Sequence, residues 1–244
     1  MIKLLNLFKK LSLRPDNFPK HIAVIMDGNG RWAQKRNLPR SIGHLKGLDS
    51  VQKIIQYAHE FKIQCLTLFA FSTENSGRPK KEISDLTILF DKTITGESEK
   101  ILANNIKITI LGDISFFPDN LQKKIQDLLI MTKKNNGLSL NIALNYGGRS
   151  EIVRAVNKAL SKKKLPKITE NDIERNLDTK DLPDADLLIR TGGEKRLSNF
   201  LIWQLAYSEL YFEKCLWPDF NKNNFINALL FYQSRNRRFG RLNN

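Results

Sequence analysis

Nearly continuous apolar runs alternate along this chain with stretches in which apolar residues recur at helical spacing. The runs predict strands that are covered on both faces; they are residues 22–26, 65–71, 106–111, 138–145 and 187–189, with 200–203 as a further candidate. Helical spacing occurs over residues 45–58, 83–101, 121–132, 152–160 and 225–232. This alternation predicts an α/β fold with an open, mostly parallel sheet of about six strands and helices on both faces.

No internal repeat or long linker divides the chain, so the sequence predicts a single domain over residues 21–244 after an N-terminal arm, residues 1–20. The arm lacks the features of a signal peptide. It fits either a frayed helix or an amphipathic segment that touches a membrane. No apolar run reaches the ~18–20 residues that span a bilayer. The two cysteines lack metal or redox spacing, and we expect a cytoplasmic protein.

Glycine and arginine cluster at the carboxyl ends of the predicted strands, where parallel α/β sheets bind their ligands. The combinations fall within residues 27–32, 72–79, 145–149 and 190–199. Glycine lets the backbone approach a phosphate, the first amides of a following helix donate to it, and arginine binds it through a planar charged fork. The pattern therefore predicts an anion-binding edge. A formal net charge of +15 agrees with an anionic partner, which composition alone leaves open as nucleic acid, membrane or phosphorylated small molecule.

Two residues of the first loop region have competing interpretations. Asp27 is the only carboxylate in that loop, and one carboxylate beside several arginines fits a Mg²⁺-diphosphate site. It also fits a cap for the helix that begins near Gly30. His44 follows Gly43 at a predicted helix start, as either a helix-start residue or a catalytic one.

The arginines fall into two groups, which indicates two phosphorylated ligands. Arg31, Arg40 and Arg78 flank the first two loops, whereas Arg190 and Arg196 flank the fifth. The sequence contains no P-loop, no complete dinucleotide fingerprint and no recognisable Ser/His/Asp set. Stacking aromatics do not alternate with the basic residues, so we expect no nucleic-acid partner.

These residues resemble a known family, the cis-prenyltransferases, and among them the bacterial undecaprenyl diphosphate synthases. The resemblance rests on motifs that occur in order from about residue 21 to 240, and they are residues 21–33, 40–47, 71–79, 145–149, 186–200, 209–212, 217–220 and 237–240. It implies a Mg²⁺-dependent condensation of isopentenyl diphosphate with an allylic diphosphate such as farnesyl diphosphate. The product it implies is a long polyprenyl diphosphate, and undecaprenyl diphosphate is the expected one.

The resemblance also implies roles for individual residues. Asp27 and Asn75 are the expected catalytic residues, and Asp27 and Glu209 the expected metal ligands. The expected substrate-binding residues are Gly28, Asn29, Gly30, Arg31, Trp32, Arg40, His44, Ser72, Thr73, Glu74, Arg78, Arg190, Arg196, Ser198, Arg238 and Gly240. Among these, Arg190, Arg196 and Ser198 are expected to hold isopentenyl diphosphate. Arg238 and Gly240 belong to an element that completes the site across a homodimer interface in the family.

A growing prenyl chain needs shelter from water, and the apolar faces of residues 45–58 and 83–101 fit either a hydrophobic tunnel or a solid core. Ala70 resembles the small residue of long-chain members. The family usually has Trp where this chain has Ser76, followed by Gly77, which indicates a looser lid. Peripheral membrane contact is expected for product release. A silent partner subunit is the remaining alternative, but such subunits tend to lose the Asp and arginines that this chain keeps.

Overall fold

The computed structural model describes residues 12–162 and 167–236. The chain divides into two compact units. The first comprises the chain up to Gln64, Asp184–Lys195 and the chain from Gln204 onward; the second comprises Cys65–Pro183 and Arg196–Trp203. A single catalytic domain over residues 21–244 therefore stays a prediction. Residues 1–11 of the predicted arm, and Arg238 and Gly240, lie outside the described residues.

Strands and helices alternate through the described residues. The strands are β1 (His21–Ile25), β2 (Cys65–Ser72), β3 (Lys107–Leu111), β4 (Ser139–Tyr146), β5 (Leu187–Arg190) and β6 (Glu209–Phe212). The helices are α1 (Asn29–Gln34), α2 (Arg40–Glu60), α3 (Lys80–Ala103), α4 (Asp119–Thr132), α5 (Gly148–Lys162), α6 (Glu170–Glu174) and α7 (Lys222–Gln233). Each of these strands has a parallel partner, which confirms the α/β class.

In the first unit, β5 lies between β1 and β6. Arg190 at the end of β5 pairs with Ile25 at the end of β1 and with Phe212 at the end of β6. All residues of β1 and β5 are buried. Because successive side chains of a strand point to opposite faces, both faces of these two strands are covered. The carboxyl ends of β1 and β5 thus bring Asp27 and Arg190 to the same edge.

In the second unit, β4 lies between β2 and β3. The ladder between β2 and β4 shifts register around Ala70, because Phe69 pairs with Ala143 and Phe71 with Leu144. Such a β-bulge leaves one residue out of the pairing and bends the strand. The core beside the bulge is built from strands β2 and β4, helices α3 and α4 and a short turn; its buried residues are Phe71, Leu86, Phe117, Leu121, Ile125 and Leu144.

Five of the six sequence-predicted strands are confirmed to within two residues at either end. The candidate strand at residues 200–203 is wrong. Leu201 has a φ of 43°, a left-handed conformation that no strand adopts, and the chain makes turns there. The sixth strand is β6, which the sequence did not predict because it is short, mixed in polarity and only partly buried. None of the described helices is long and apolar enough to cross a bilayer.

Replacing Gly43 by alanine is expected to cost about 1–3 kcal/mol of unfolding free energy. A Cβ there would lie 2.8 Å from the carbonyl carbon of Asn29 and closer still to its oxygen, so α1 and α2 would have to separate. Gly96→Ala in α3 is the matched control, because nothing lies within 4 Å of its added Cβ. That change is expected to stabilise by roughly 0.5–1 kcal/mol. Urea denaturation measures both, and equal effects would contradict the close approach of the two helices.

Candidate active site

The loop after β1 places Asp27 directly before helix α1. The residue that precedes the helix is Gly28, whose φ of 116° is left-handed, and no side chain caps this helix start. The interpretation of Asp27 as a helix cap is therefore wrong. Its carboxylate is engaged elsewhere.

Each carboxylate oxygen of Asp27 forms an ion pair with an arginine side chain. Arg31 Nη2 lies 3.0 Å from Oδ1, and Arg190 Nη2 lies 2.9 Å from Oδ2. The Arg190 side chain is only 4% exposed, against 27% for Asp27. Burial by itself raises the pKa of Asp27, but the hydrogen bonds and charges of Arg190 and Arg31 outweigh it and hold the pKa below its ordinary value. Asp27 is therefore an ionised carboxylate that joins the ends of β1 and β5.

The backbone of Asp27 is held as firmly as its side chain. Its carbonyl oxygen accepts a hydrogen bond from the hydroxyl of Thr191 at 2.7 Å and from the amide of Trp217 at 3.1 Å. Thr191 is fully buried. Thr191 was not among the predicted site residues, although its place immediately after β5 at the predicted ligand edge was a usable signal.

Further charged groups lie beside Arg31 and beside its neighbour Gly30. Its Nη1 donates to the carbonyl oxygen of Gly192 at 2.8 Å and lies 3.5 Å from a carboxylate oxygen of Glu194. The guanidinium of Arg40 lies against Gly30, because a Cβ on that glycine would be 2.9 Å from the Arg40 Cζ. The cluster of Arg31, Arg40, Arg190, Asp27 and Glu194 thus has three positive and two negative groups. Glu194 was not predicted as a site residue.

Trp32 and His44 lie on the helices that flank this cluster. The indole Nε1 of Trp32 donates to Asp219 Oδ1 at 2.7 Å, and the Arg36 guanidinium stacks 4.0 Å above the Trp32 ring. These contacts fix the carboxyl end of α1, which carries Arg31. His44 is partly buried one turn after Arg40 in α2. The predicted substrate contacts of Trp32 and His44 stay predictions.

The structure does not bring Glu209 to Asp27 within one chain. Glu209 starts β6 and pairs with Leu187, whereas Asp27 lies beyond the level of Arg190. Three residues of strand separate these two levels, which is about 10 Å. The Glu209 carboxylate instead accepts a hydrogen bond from Arg235 Nε at 3.1 Å. No group of three or more possible metal ligands occurs in the part of the chain that the structure describes.

In the second unit, the predicted residues after β2 form one short turn, Thr73–Gly77. The amide of Ser72 donates to Asn75 Oδ1 at 3.2 Å, and the Ser72 side chain accepts from the Asn75 backbone. This reciprocal capping fixes the side-chain amide of Asn75, the predicted catalytic residue. Ser76, which stands where the family usually has Trp, donates from its hydroxyl to the Thr73 carbonyl at 2.7 Å. The looser lid stays a prediction.

Arg78, Arg196 and Ser198 are also in the second unit. Arg78 precedes α3, and its Nη1 lies 3.1 Å from Glu82 Oε1. Arg196 and Ser198 are exposed in the segment Arg196–Trp203, where Ser198 has a φ of 50° and Asn199 one of 61°. Asn199 was not among the predicted site residues.

The fold and the Asp27 cluster define an α/β protein whose strand ends present a net positive group of arginines and carboxylates. A family model described as putative undecaprenyl diphosphate synthase matches residues 25–240. The chain is 48% identical over 235 residues to the ditrans,polycis-undecaprenyl-diphosphate synthase ((2E,6E)-farnesyl-diphosphate specific) of Pasteurella multocida, covering 94% of this chain and 98% of that protein. It is 49% identical over 228 residues to the isoprenyl transferase of Fusobacterium nucleatum, covering 93% and 98%.

Two solved structures agree with these relatives. Lavandulyl diphosphate synthase from Lavandula x intermedia, in complex with dimethylallyl diphosphate, matches with a TM-score of 0.89 and 35% identity, covering 92% of this chain and 99% of that one. A probable undecaprenyl diphosphate synthase from Campylobacter jejuni matches with a TM-score of 0.77 and 39% identity, covering 91% and 99%. This chain belongs to the undecaprenyl diphosphate synthase family of prenyltransferases.

Proposed function

We propose that this chain condenses isopentenyl diphosphate repeatedly with an allylic diphosphate primer, farnesyl diphosphate, to make undecaprenyl diphosphate. That product is the precursor of the lipid carrier used in cell-wall synthesis. The observation that carries the proposal is the ionised Asp27 held between Arg31 and Arg190 at the strand ends. The names of the Pasteurella and Fusobacterium relatives, which match nearly the whole chain, support it.

The reaction breaks the carbon–oxygen bond of the primer, and the electron pair leaves with the diphosphate. The terminal alkene carbon of isopentenyl diphosphate bonds to the freed carbon. A proton then leaves C2 of the same isopentenyl unit for a base, water or the released diphosphate, and the new double bond forms between C2 and C3. No protein nucleophile is needed. What the protein supplies is stabilisation of the charge that develops on the departing diphosphate, which preorganised arginines provide.

Arg31, Arg40 and Arg190 are placed for that task. Without a diphosphate, two of them neutralise Asp27. A diphosphate carries more charge than a carboxylate and accepts bidentate hydrogen bonds, so it competes for the same guanidinium groups. Asp27 oxygens released in this way become available to a cation. The Asp27 cluster therefore fits a diphosphate ligand better than it fits a permanently closed ion-pair network.

The donor set also fits a magnesium ion that is bound mainly by substrate. Mg²⁺ typically takes one or two carboxylates, several waters and phosphate oxygens, and Asp27 supplies one such carboxylate. When bound, the ion would add electrostatic stabilisation of the leaving diphosphate. Glu209 is the second ligand expected from the resemblance, but its distance from Asp27 in one chain gives that role no support.

Isopentenyl diphosphate is assigned to Arg190, Arg196 and Ser198. Arg190 also contacts Asp27, so in this proposal it serves both diphosphates. Gly28, Asn29, Gly30, Trp32, His44, Thr73, Glu74 and Arg78 are assigned to substrate, while Ser72 and Asn75 are assigned to the region of the reacting carbons. Arg238 and Gly240 are assigned to completion of the site in a homodimer, and peripheral membrane contact to product release.

We assign the growing chain to the apolar layer of the second unit. Ile142 belongs to the central strand β4 and Ile110 to β3, yet both are only partly buried, as are Ala70, Phe90 and Ile94 beside them. A central strand in a solid core would be covered completely on both faces. Partial exposure of these aliphatic residues supports an open space between the strands and helices α3 and α4, which is the predicted hydrophobic tunnel.

The proposed function predicts that purified protein transfers labelled isopentenyl diphosphate to farnesyl diphosphate in the presence of Mg²⁺. The label should become extractable into butanol. EDTA should abolish the transfer, and with it the extractable label, because the diphosphates lose their cation. A parallel assay with dimethylallyl diphosphate as the primer tests whether this chain shares the farnesyl specificity named for the Pasteurella relative. Absence of extractable label with every primer and cation would refute the proposed function.

A further inference from the structure

Asn199 hydrogen-bonds to two other segments of the second unit. Its Nδ2 donates to Glu74 Oε1 at 2.8 Å, and its Oδ1 accepts from the amide of Arg149 at 2.9 Å. Its backbone carbonyl accepts from the amide of Gly148 at 2.7 Å. One asparagine thereby joins the turn after β2, the start of α5 after β4 and the segment Arg196–Trp203.

The local backbone is adapted to this arrangement. The φ of Asn199 is 61°, a left-handed value that asparagine tolerates better than most residues. Gly147 makes room for the contacts, because a Cβ there would lie 2.5 Å from Thr73 Oγ1 and 2.7 Å from Asn199 Nδ2. Any larger residue at position 147 would push the two segments apart.

The next residue anchors the same segment in the core. The Phe200 ring stacks on Phe69 of β2 with a centroid distance of 4.4 Å and meets Tyr146 of β4 edge-on at 6.1 Å. Phe200 is fully buried, whereas the bond between Asn199 and Glu74 is exposed. The core contact therefore carries the stability of this segment, and an exposed hydrogen bond adds little to it. What the bond to Glu74 determines is the position of the turn.

Glu74 is ionised at neutral pH, which strengthens this bond. Burial opposes ionisation, but hydrogen bonds from Asn199, from the turn backbone and from Ser72 and Thr73 hold the pKa of Glu74 below its ordinary value. An amide N–H that donates to a carboxylate makes a stronger and shorter bond than one that donates to a neutral acceptor.

We propose that Asn199 is a positioning residue: through Glu74 it ties the turn that carries Asn75 to the segment that carries Arg196 and Ser198. It thereby sets the spacing between the groups assigned to the reacting carbons and those assigned to isopentenyl diphosphate. The inference rests on the proposed function. Asn199 itself is not assigned to either substrate.

Five variants test this role: Asn199→Asp, Asn199→Gly, Glu74→Gln, and Glu74→Gln combined with each of the two Asn199 changes. Asn199→Asp sets a carboxylate against Glu74 but keeps the acceptor for Arg149. We expect kcat/KM for isopentenyl diphosphate to fall roughly 10–100-fold, since small misplacements of substrate-positioning groups have effects of that size. KM for farnesyl diphosphate should stay close to the wild-type value, because Arg31 and Arg40 are unchanged.

The variant that combines Asn199→Asp with Glu74→Gln restores the bond with its polarity reversed, because the glutamine amide introduced at position 74 can donate to the carboxylate introduced at position 199. We expect it to recover roughly tenfold of the loss seen in Asn199→Asp, although Glu74→Gln alone brings no gain. Asn199→Gly keeps the left-handed backbone and the carbonyl that accepts from Gly148, and it removes both side-chain bonds. Glu74→Gln should therefore not rescue it.

Asn105→Asp is the matched control. Asn105 has a φ of 55°, its Nδ2 donates to Asn136 Oδ1, its Oδ1 accepts from the Asn136 amide, and its carbonyl accepts from Gly137. It lies at the amino end of β3, so both kinetic constants should stay at wild-type values. The positioning role is supported if Glu74→Gln rescues Asn199→Asp but does not rescue Asn199→Gly. Additive effects of the two substitutions, or a fully active Asn199→Asp, would overturn the positioning role of Asn199. If the wild type is active in the same assay, the proposed function stands even then. An inactive wild type would overturn both the positioning role and the proposed function.

Discussion

Asp27→Asn is expected to lower kcat for prenyl transfer by at least two to three orders of magnitude, roughly the effect of removing one preorganised electrostatic group. The variant keeps the side-chain size and one oxygen that can accept from Arg190, but it loses the charge that Arg31 and Arg190 share. It also loses the carboxylate assigned to magnesium. Steady-state kinetics with saturating substrates measure the effect.

Asp113→Asn is the matched control for Asp27. Asp113 also follows the end of a strand and also has a lowered pKa, which hydrogen bonds from Ser115 cause first. Its carboxylate caps a short turn through the amide of Ser115 at 3.0 Å. Because asparagine caps about as well as aspartate, its replacement should hardly change stability and should leave kcat unchanged. If Asp27→Asn kept wild-type kcat, the role assigned to Asp27 would be wrong.

Ala70→Leu is expected to shorten the product by several isoprene units while the first condensation proceeds at nearly the wild-type rate. Ala70 lies at the β-bulge of β2 among the partly exposed aliphatic residues assigned to the tunnel. A larger side chain there would project into the space assigned to the growing chain. Chromatography of the dephosphorylated products measures the length distribution.

The same variant separates a tunnel from a solid core. An added branched side chain in a filled core costs about 1–3 kcal/mol, whereas in an open tunnel it meets little and the melting temperature hardly changes. Ala103→Leu, at an exposed position at the end of α3, is the control and should change neither length nor stability. A destabilised Ala70→Leu enzyme that still makes full-length product would contradict the assignment of the tunnel.

The strand pattern was readable from the sequence because buried parallel strands are continuous apolar runs, as β1 and β5 are. β6 was missed because a partly exposed short strand has no such run. At residues 200–203 an apolar run was misleading: Phe200 and Leu201 are buried by tertiary packing in turns rather than in a strand. A short apolar run in the sequence therefore does not distinguish a buried strand from buried turns.

The arginine and glycine loops were also predictable, because the carboxyl ends of parallel strands meet at one edge. The pairing of individual arginines with individual carboxylates could not be predicted from the sequence. Asp27 and Arg190 are 163 residues apart, and the sequence placed Arg190 with a different ligand from Arg31. The distance of Glu209 from Asp27 depends on the register between β5 and β6, which residue types alone do not specify. Asn199 was missed for the same reason, since its partners are distant in the chain.

In the proposed function, this chain extends an allylic diphosphate by successive isoprene units. Mass spectrometry of the products formed from farnesyl diphosphate and isopentenyl diphosphate with Mg²⁺ tests it most directly. The proposed function predicts a series of polyprenyl diphosphates that differ by one isoprene unit and accumulate at undecaprenyl length. For Ala70→Leu it predicts a series that ends earlier. Recovery of both substrates unchanged would contradict it.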